Sequence, residues 1–527
     1  MKSPLRLPVP ATLLILAGPL ALPCPAMQTA DATLAEFRSL AETDAPTALP
    51  KLVAALGEAD PRGRLVAALS IAAIADRVGD TDAADGGDGA DFAPAAAALL
   101  PLLGTDDPAL VRAAATALGT IGPVDDDDAV DDAVDALCRA ATRAADAETR
   151  SALLVAIADY GPAADAAVSA VTKLLRSKTA LEREAAAAAL SAIGPESRPA
   201  TAELARLLGD DAALVRAAAA AALGAIGPDA RDASAALARA LADADAMVRG
   251  GAARALAAIG PDAAGATGAI VAALTAEKDA DVRLGLIDAC GEIGPGAIQA
   301  APALVPALES DDAETREAAV SALGELGPQA AATAGIAVEK RLDDGDPFVR
   351  VAAVGALAGL GRPAPRARAI LLAALGSDDE DLQAAAAEVV GDRGKAAAGF
   401  SAALAKVAGT AKDPHARAAA ITALGDIGAA DQPAALGKAL DDDDADVRYA
   451  AAWAIAELPE TIAGLAKEIV AAADDDDVRV RMEIAPLLAA VGTADAKKAL
   501  QTLAADDDEN VAEVAKQVLA RQSPAGR

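Results

Sequence analysis

The chain of 527 residues carries a formal net charge of −33, and only 1% of its residues are aromatic. So acidic a chain argues against nucleic-acid binding, which needs basic groups opposite the phosphates, and against docking on anionic lipid. The single histidine, His415, excludes most acid–base and triad chemistry, and we interpret it as a solvated turn residue. Because aromatic residues are so scarce, the hydrophobic core must be built from alanine, leucine, valine and isoleucine.

Residues 1–26 have the outline of a secretory signal peptide. Lys2 and Arg6 give a basic start, residues 11–22 are apolar, and small residues precede an expected cleavage after Ala26. The apolar run contains proline and is shorter than the ~20 residues of a membrane-spanning helix. An uncleaved anchor and a lipid-modified Cys24 are the alternatives. No later segment looks apolar enough to span a membrane, so we expect an exported chain without membrane insertion after signal removal.

The chain then divides into four further segments. Residues 31–78 are interpreted as N-terminal helices and a first repeat, and residues 79–91 as an acidic, glycine-rich insertion loop whose spacing does not fit a calcium-binding loop. Residues 92–520 form a repeat array, with a smaller insertion at 124–135. Residues 521–527 are expected to be a disordered tail.

One stretch, residues 210–228, shows the repeated unit most clearly. Asp210 and Asp211 are placed to accept hydrogen bonds at a helix start, an alanine-rich amphipathic helix follows, and Gly227-Pro228 ends it. The arginine of its Val-Arg pair, here called the landmark arginine, recurs mostly every 33–34 residues. This period predicts a solenoid of helix pairs. The landmark positions are Arg64, Arg112, Arg150, Arg183, Arg216, Arg249, Arg283, Arg316, Arg350, Gln383, Arg417, Arg448, Arg481 and Ala512.

The recurring VR and ALGxIGP motifs resemble HEAT repeats, specifically the short type named for phycobilisome lyases, over residues 45–520. The resemblance implies an all-α, right-handed α-solenoid of about 13–14 helix-pair repeats, with the VR helices on its concave face. It also implies a ladder of Asp and Arg side chains between repeats, since the guanidinium fork suits a nearby carboxylate. The arginines assigned to this structural ladder are Arg112, Arg216, Arg249, Arg283, Arg316, Arg350 and Arg448.

We assign no catalytic, cofactor-binding or metal-binding residue. The sequence has no HExxH or CxxC pair, and Gly394-Lys395 is followed by Ala396 instead of the Ser or Thr of a phosphate loop. HEAT-like deoxyhypusine hydroxylases need His-Glu metal ligands, which one histidine cannot supply. The lyase resemblance alone does not carry lyase activity.

Other reactive groups also have structural interpretations. The aspartate runs at 125–128, 441–444 and 474–477 are consistent with solvated surface charge, and two of the three lie in helix-capping turns. Cys138 and Cys290 are several repeats apart, which makes a disulfide between them unlikely on geometric grounds. Cys290 occupies a core position of its repeat.

Two repeat positions, one and five residues after the landmark arginine, are expected to face solvent on the concave side. In the repeat of Arg448 they hold Tyr449 and Trp453, four residues apart on one helix face. Exposed Trp and Tyr are typical of binding hot spots; the alternative is that they cover a loose seam between repeats. The other side chains assigned to this groove are Arg254, Asp288, Glu292, Ser321 and Glu325.

The sequence thus predicts an exported, non-enzymatic scaffold that binds a partner protein, or a segment of one, along an acidic concave groove. Two alternatives remain open at this stage. One is an accessory subunit of a chromophore-lyase-type enzyme, and the other is a structural spacer in the cell envelope.

Overall fold

The computed structural model describes residues 35–522, apart from residues 36, 38, 41, 59, 82–90 and 125. The predicted signal peptide at 1–26 and most of the predicted loop at 79–91 lie outside the described residues. The chain divides into two compact units, residues 1–226 and 227–527, called here the N-terminal and C-terminal units. Every regular element described in them is a helix, so the predicted all-α class is confirmed for the described residues.

The N-terminal unit alternates two kinds of helix. An arginine helix carries the landmark position, and a companion helix connects it to the next one. The arginine helices are Pro61–Thr81, Pro108–Ile121, Ala147–Asp159, Ala180–Ile193 and Ala213–Ile226. The other α-helices are Ala45–Glu58, Ala93–Leu99, Asp127–Arg143, Val168–Leu174 and Thr201–Leu207, with 3-10 helices at Leu100–Gly104, Gly161–Ala167 and Gly194–Ala200.

The C-terminal unit repeats the same alternation. Its arginine helices are Ala246–Ile259, Ala280–Ile293, Ala313–Glu325, Pro347–Gly359, Glu380–Gly391, Pro414–Asp426, Ala445–Glu457, Val478–Val491 and Glu509–Gln522. The companion α-helices are Ser234–Ala240, Thr267–Ala276, Ala301–Leu304, Ala331–Lys340, Ala367–Leu375, Ser401–Thr410, Pro433–Ala439, Ala466–Ala471 and Ala494–Leu503. The 3-10 helices are Gly227–Ala233, Gly260–Ala266, Gly294–Ala300, Val305–Glu309, Pro328–Ala330, Arg341–Asp343, Gly394–Phe400, Pro459–Thr461 and Ala472–Asp474.

Each arginine helix starts and ends on local signals in the sequence. The aspartate four residues before the landmark caps the helix: the Asp245 carboxylate accepts a hydrogen bond from Met247 N at 2.9 Å. Gly260 ends the same helix with φ +68°, a conformation that L side chains rarely adopt. The following Pro261 lies in a seven-residue 3-10 helix, so the Gly-Pro turn bends the chain into the companion helix.

Within each unit, every arginine helix packs along the next arginine helix. Glycine eight residues after the landmark allows the closest approach: a Cβ added at Gly324 would lie 2.6 Å from Ala356 Cα. Leucines such as Leu256 and Leu323 are fully buried in the layer between the arginine and companion helices. Repeats therefore cohere by many small interfaces, as in other solenoids.

Three boundaries differ from the sequence-based expectation. The helix Pro61–Thr81 continues past the expected loop start at residue 79, and the last helix extends to Gln522, past the expected tail start at 521. The extra residues at 124–135 mostly lengthen a companion helix, Asp127–Arg143. Asp126 caps that helix on Ala129 N, and two further carboxylates lie in its first turn, which favours helix over loop.

The expectation that no later segment could span a membrane was wrong on length and composition. Two helical stretches, Ala213–Ala240 and Ala246–Ala276, reach the length and hydropathy of a membrane span. Both stretches are rich in alanine, which forms the core of the repeats, and this explains why their hydropathy matches that of a membrane span. Each stretch is broken by a glycine with positive φ, at Gly227 and Gly260 respectively.

Candidate functional site

Several landmark arginines in each unit bind a carboxylate of the following repeat. Arg316 donates from Nη2 and Nε to the two carboxylate oxygens of Asp344, at 2.8 and 3.0 Å. Its Nη1 donates to the carbonyl of Ser310 at 2.9 Å, in its own repeat. The guanidinium therefore joins two consecutive turns through a bidentate, charge-assisted pair. Its side chain is only 14% exposed, and that of Asp344 is 4% exposed.

The carboxylate partner lies six residues before the landmark position of the next repeat. We call these bidentate pairs the arginine ladder: Arg183–Asp210, Arg249–Glu277, Arg316–Asp344, Arg417–Asp442, Arg448–Asp475 and Arg481–Asp506. Arg150 binds Glu182 instead, at 2.5 Å. Hydrogen bonding from Arg249 lowers the pKa of the Glu277 carboxyl to about 2.

Three arginines assigned to the ladder from sequence bind differently. Arg112 donates to Thr149 Oγ1 at 2.9 Å and lies 3.9 Å from Asp146. Among the described residues, the Arg350 side chain donates hydrogen bonds only to the carbonyls of Asp344 and Gly345 in its own repeat. For Arg283, no side-chain hydrogen bond or ion pair is found among the described residues.

The reason is the residue six positions before the following landmark. Where Arg316 finds Asp344, Arg283 and Arg350 face repeats that hold Ser310 and Ser377 there. Arg216, also assigned to the ladder, has an aspartate, Asp243, at this position. Its Nη1 donates to the carbonyls of Asp210 and Asp211 in its own repeat at 2.8 and 3.2 Å, as Arg316 Nη1 does to Ser310. The ladder thus depends on one turn position and not on the VR motif alone.

The position five residues after the landmark is open to solvent in three of the repeats assigned to the groove and half-buried at Trp453. Arg254, Asp288 and Ser321 are all exposed there. The position one residue after the landmark is less open than expected: Glu317 and Tyr449 are half-buried, because this position faces the neighbouring repeat. The pKa of the Glu317 carboxyl is raised mainly by burial, and in addition by repulsion from the negative charges of Asp346 and Glu314.

In the C-terminal unit, a row of acidic residues lies nine positions after the landmark, in or just after the last turn of the arginine helix. Glu292 and Glu325 belong to it, and sequence analysis placed both in the groove. It overlooked three further members, Asp392, Asp426 and Glu457, which the shared spacing could have shown. We call these five exposed side chains the carboxylate row.

Carboxylates near the row repel one another. Surrounding protein removes part of the hydration of Asp288, and Glu292 and Glu314 add like charge, so its pKa is raised. The pKa of Asp426 is raised by desolvation, followed by repulsion from Asp392 and Glu457. This face therefore carries a negative potential that no described ion pair relieves.

The two aromatic residues assigned to the groove each contact a neighbouring repeat. The Trp453 ring covers Gly425 so closely that a Cβ there would lie 2.9 Å from Trp453 Cζ3. The Arg479 guanidinium lies 5.5 Å from the centre of the Tyr449 ring. Both rings are half-buried, so they cover seams between repeats and also keep a solvent-facing part.

The described acidic, histidine and cysteine side chains differ in clustering and exposure. No group of three or more His, Cys, Asp and Glu side chains in the described ranges could hold a metal ion. Cys290 is fully buried, and burial raises the pKa of its thiol to about 12. Cys138 is half-buried, and its thiol pKa is raised to about 11.

Comparison with known proteins agrees with this geometry. The described helix pairs are those of an α-solenoid, and the HEAT-repeat family matches residues 267–334, 369–456 and 433–520. These three segments are HEAT repeats, as their motifs predicted. No curated protein matches the sequence.

Solved structures with a similar fold include a karyopherin and an importin-beta. One is the karyopherin Kap121p bound to the SUMO protease Ulp1p, with TM-score 0.52 and 13% identity over 95% of this chain. The other is yeast importin-beta (Kap95p), with TM-score 0.51 and 15% identity over 92% of this chain. This chain covers 62% of the first and 70% of the second. At this identity the likeness shows the fold alone.

Proposed function

We propose that this chain is an exported, non-enzymatic scaffold that binds a partner protein, or a segment of one, along the acidic face of its arginine helices. The observation that carries the proposal is the contrast between two sets of polar side chains in the C-terminal unit. Ladder carboxylates are buried and paired with arginine, whereas the carboxylate row is exposed and unpaired among the described residues.

A solely structural array gives no reason for this contrast. Carboxylates near helix C-termini lie beside the negative end of the helix dipole and cost stability. The half-buried aromatic residues near them, Tyr449 and Trp453, keep a solvent-facing part that suits binding to another protein. One similar fold, Kap121p, is itself seen with a bound protein.

Export is the second part of the proposal, and it is supported by the basic, apolar and small-residue order of residues 1–26. Recovering the chain from the medium or envelope of its source cells, with its mass reduced by residues 1–26, would support it. Recovery of the uncut chain inside the cells would contradict it.

The binding part is tested by affinity capture from the same fraction with the full-length tagged chain. We expect a specific protein to be retained by the wild type and lost with the double variant Tyr449→Ala, Trp453→Ala. The matched control is Ile336→Ala, Leu372→Ala, which removes apolar side chains that are 67% and 36% exposed on companion helices. Equal capture by all three would remove the aromatic site, and no specific capture by any would contradict the scaffold.

A further inference from the structure

One helix face in the C-terminal unit combines aromatic and acidic side chains. Tyr449, Trp453 and Glu457 are spaced by four residues on the helix Ala445–Glu457, so they follow one another along a single face. Glu457 is exposed, and the two rings are half-buried. The aromatic strip therefore leads directly to the end of the helix and to the carboxylate row.

Three carboxylates at the same repeat position of consecutive, packed arginine helices converge at that end. A Cβ added at Gly391, next to Asp392, would lie 2.9 Å from Asp426 Oδ2. The charges of Asp392 and Glu457 both act on Asp426 strongly enough to raise its pKa, after desolvation as the largest cause. Each lies at or just after the last residue of its helix, and none of those helices has a basic residue in its last turn. The helix-end carbonyls add further negative charge there.

Among the described residues, these three carboxylates form no ion pair. Within the described part of the chain, neither a hydrogen bond nor an ion pair connects Asp392, Asp426 or Glu457 to Lys or Arg. Arg393 and Lys395 follow Asp392 in the chain but form no described pair with the three. In the ladder of the same unit, by contrast, Asp442 and Asp475 each receive a bidentate arginine.

The helix Ala445–Glu457 already holds one positively charged side chain of this chain, Arg479, against an aromatic ring and carboxylates. The Arg479 guanidinium lies over the Tyr449 ring and pairs with Asp446 at 2.8 Å and Asp477 at 2.7 Å. A guanidinium that satisfies two carboxylates and an aromatic ring at once shows which chemistry fits here. One turn further along, Trp453 and the three converging carboxylates offer the same combination, with no internal cation.

We propose that the face formed by Trp453, Glu457, Asp426 and Asp392 binds a lysine- or arginine-rich extended segment of another protein. The inference rests on the proposed scaffold function and names its partner's chemistry. Charge complementarity favours this occupant: basic head groups pair with the carboxylates while their stems cover the Trp453 ring. A second copy of this chain, with net charge −33, would bring like charge to the face.

The test measures binding of a fluorescein-labelled peptide of alternating lysine and alanine to the full chain by fluorescence anisotropy. A peptide with glutamate in place of lysine is the probe control, and we expect it not to bind. The triple variant Asp392→Asn, Asp426→Asn, Glu457→Gln should weaken binding of the lysine peptide about tenfold or more, since about 1.4 kcal/mol is tenfold. Trp453→Leu should weaken it about threefold.

A second triple variant controls for the overall negative charge. This variant removes the same amount of negative charge from exposed side chains of the same unit that have no described partner. Its substitutions are Asp443→Asn, Glu468→Gln and Asp507→Asn. We expect it to bind within about twofold of the wild type, since its charges lie away from the peptide and are screened. Equal weakening by both triple variants, or no peptide binding by the wild type, would overturn the inference.

Two further results would also overturn it: displacement of the peptide by calcium ions at low concentration, or wild-type self-association that the first triple variant abolishes. These outcomes can be told apart from failure of the scaffold. If the affinity capture retains a partner equally well with the wild type and the first triple variant, the scaffold stands and the basic-segment inference fails. If nothing is captured, the scaffold itself fails.

Discussion

Two rows of carboxylates accompany the arginine helices of the C-terminal unit, and they experience opposite electrostatics. In the ladder, hydrogen bonds from the preceding arginine hold the pKa of Asp344 below its usual range. In the carboxylate row, desolvation and neighbouring carboxylates raise the pKa of Asp426. The first set contributes to cohesion between repeats, and the second opposes it.

The difference shows how one repeated motif can separate stability from binding. The turn before an arginine helix can be bound by the arginine of the preceding repeat as well as by its own. Arg316, for example, donates to Asp344 in the next turn and to Ser310 in its own turn. The row carboxylates at the C-terminal end of the same helices have no such partner among the described residues, and their side chains are exposed. Fixed interactions at one end of the helix thus allow the other end to carry unrelieved charge.

Removing a ladder arginine should have the largest effect. Arg316→Ala leaves the Asp344 carboxylate with little solvent access and no bidentate partner, and we expect a loss of about 2 kcal/mol. The matched control is Arg283→Ala, at the same repeat position but without a described carboxylate partner, with an expected loss of about 0.5 kcal/mol.

Urea denaturation, with hydrogen exchange to locate the weakened repeats, measures both variants. Equal losses would mean that the arginine acts by packing and not by its carboxylate. Loss of protection should concentrate in the helices Ala313–Glu325 and Pro347–Gly359, because each repeat contacts mainly its neighbours.

The sequence could predict the helix pairs because their signals are local. Gly-Pro ends and aspartate caps lie within a few residues of the bonds they make, as Asp245 and Gly260 show. The ladder partner could not be chosen in the same way. A run such as 441–444 offers several aspartates, and only the structure shows that Asp442 meets Arg417 while Asp444 caps its own helix.

Sequence reasoning about the site was limited for related reasons. Arg283 keeps the VR motif, but its partner position lies in the next repeat and holds Ser310. The seam-covering contact of Trp453 with Gly425 depends on the distance between two helices, which spacing alone does not give. The carboxylate row was accessible from sequence, since Asp392, Asp426 and Glu457 share one repeat position.

Restoring a missing ladder pair should give a smaller, stabilising effect. Ser377→Asp places a carboxylate where Asp344 lies in the preceding repeat, within reach of Arg350. The new side chain can also accept the hydrogen bond that Asp379 N now donates to Ser377 Oγ at 3.1 Å. We expect a gain of about 1 kcal/mol in the free energy of unfolding.

Ser377→Asn is the matched control, because it keeps the turn hydrogen bond without the charge. Thermal denaturation at low and high salt measures the difference. A gain for Asp that equals that for Asn would assign the effect to capping, and the ladder would then contribute little at this position.

The smallest effect should come from the carboxylate row, and its sign should be opposite. Because the folded-state pKa of Asp426 is raised, its ionised form is disfavoured by folding, and stability is lost as pH rises through that pKa. Asp426→Asn should therefore stabilise the protein at pH 7 by about 0.3–0.5 kcal/mol, reduced by solvent screening. The gain should vanish at acidic pH, where the wild-type carboxyl is protonated in both states.

Glu277→Gln provides the comparison from the ladder. The pKa of Glu277 falls from its usual 4.5 to about 2 on folding, so its contribution is present above the unfolded-state pKa and is lost as pH falls towards 2. The variant should be less stable than the wild type at pH 7, with a deficit that shrinks on acidification. Thermal denaturation from neutral to acidic pH should thus give differences of opposite sign for the two variants. Differences of the same sign would mean that the two rows are not electrostatically distinct, and the argument for an open, ligand-binding charge would lose its basis.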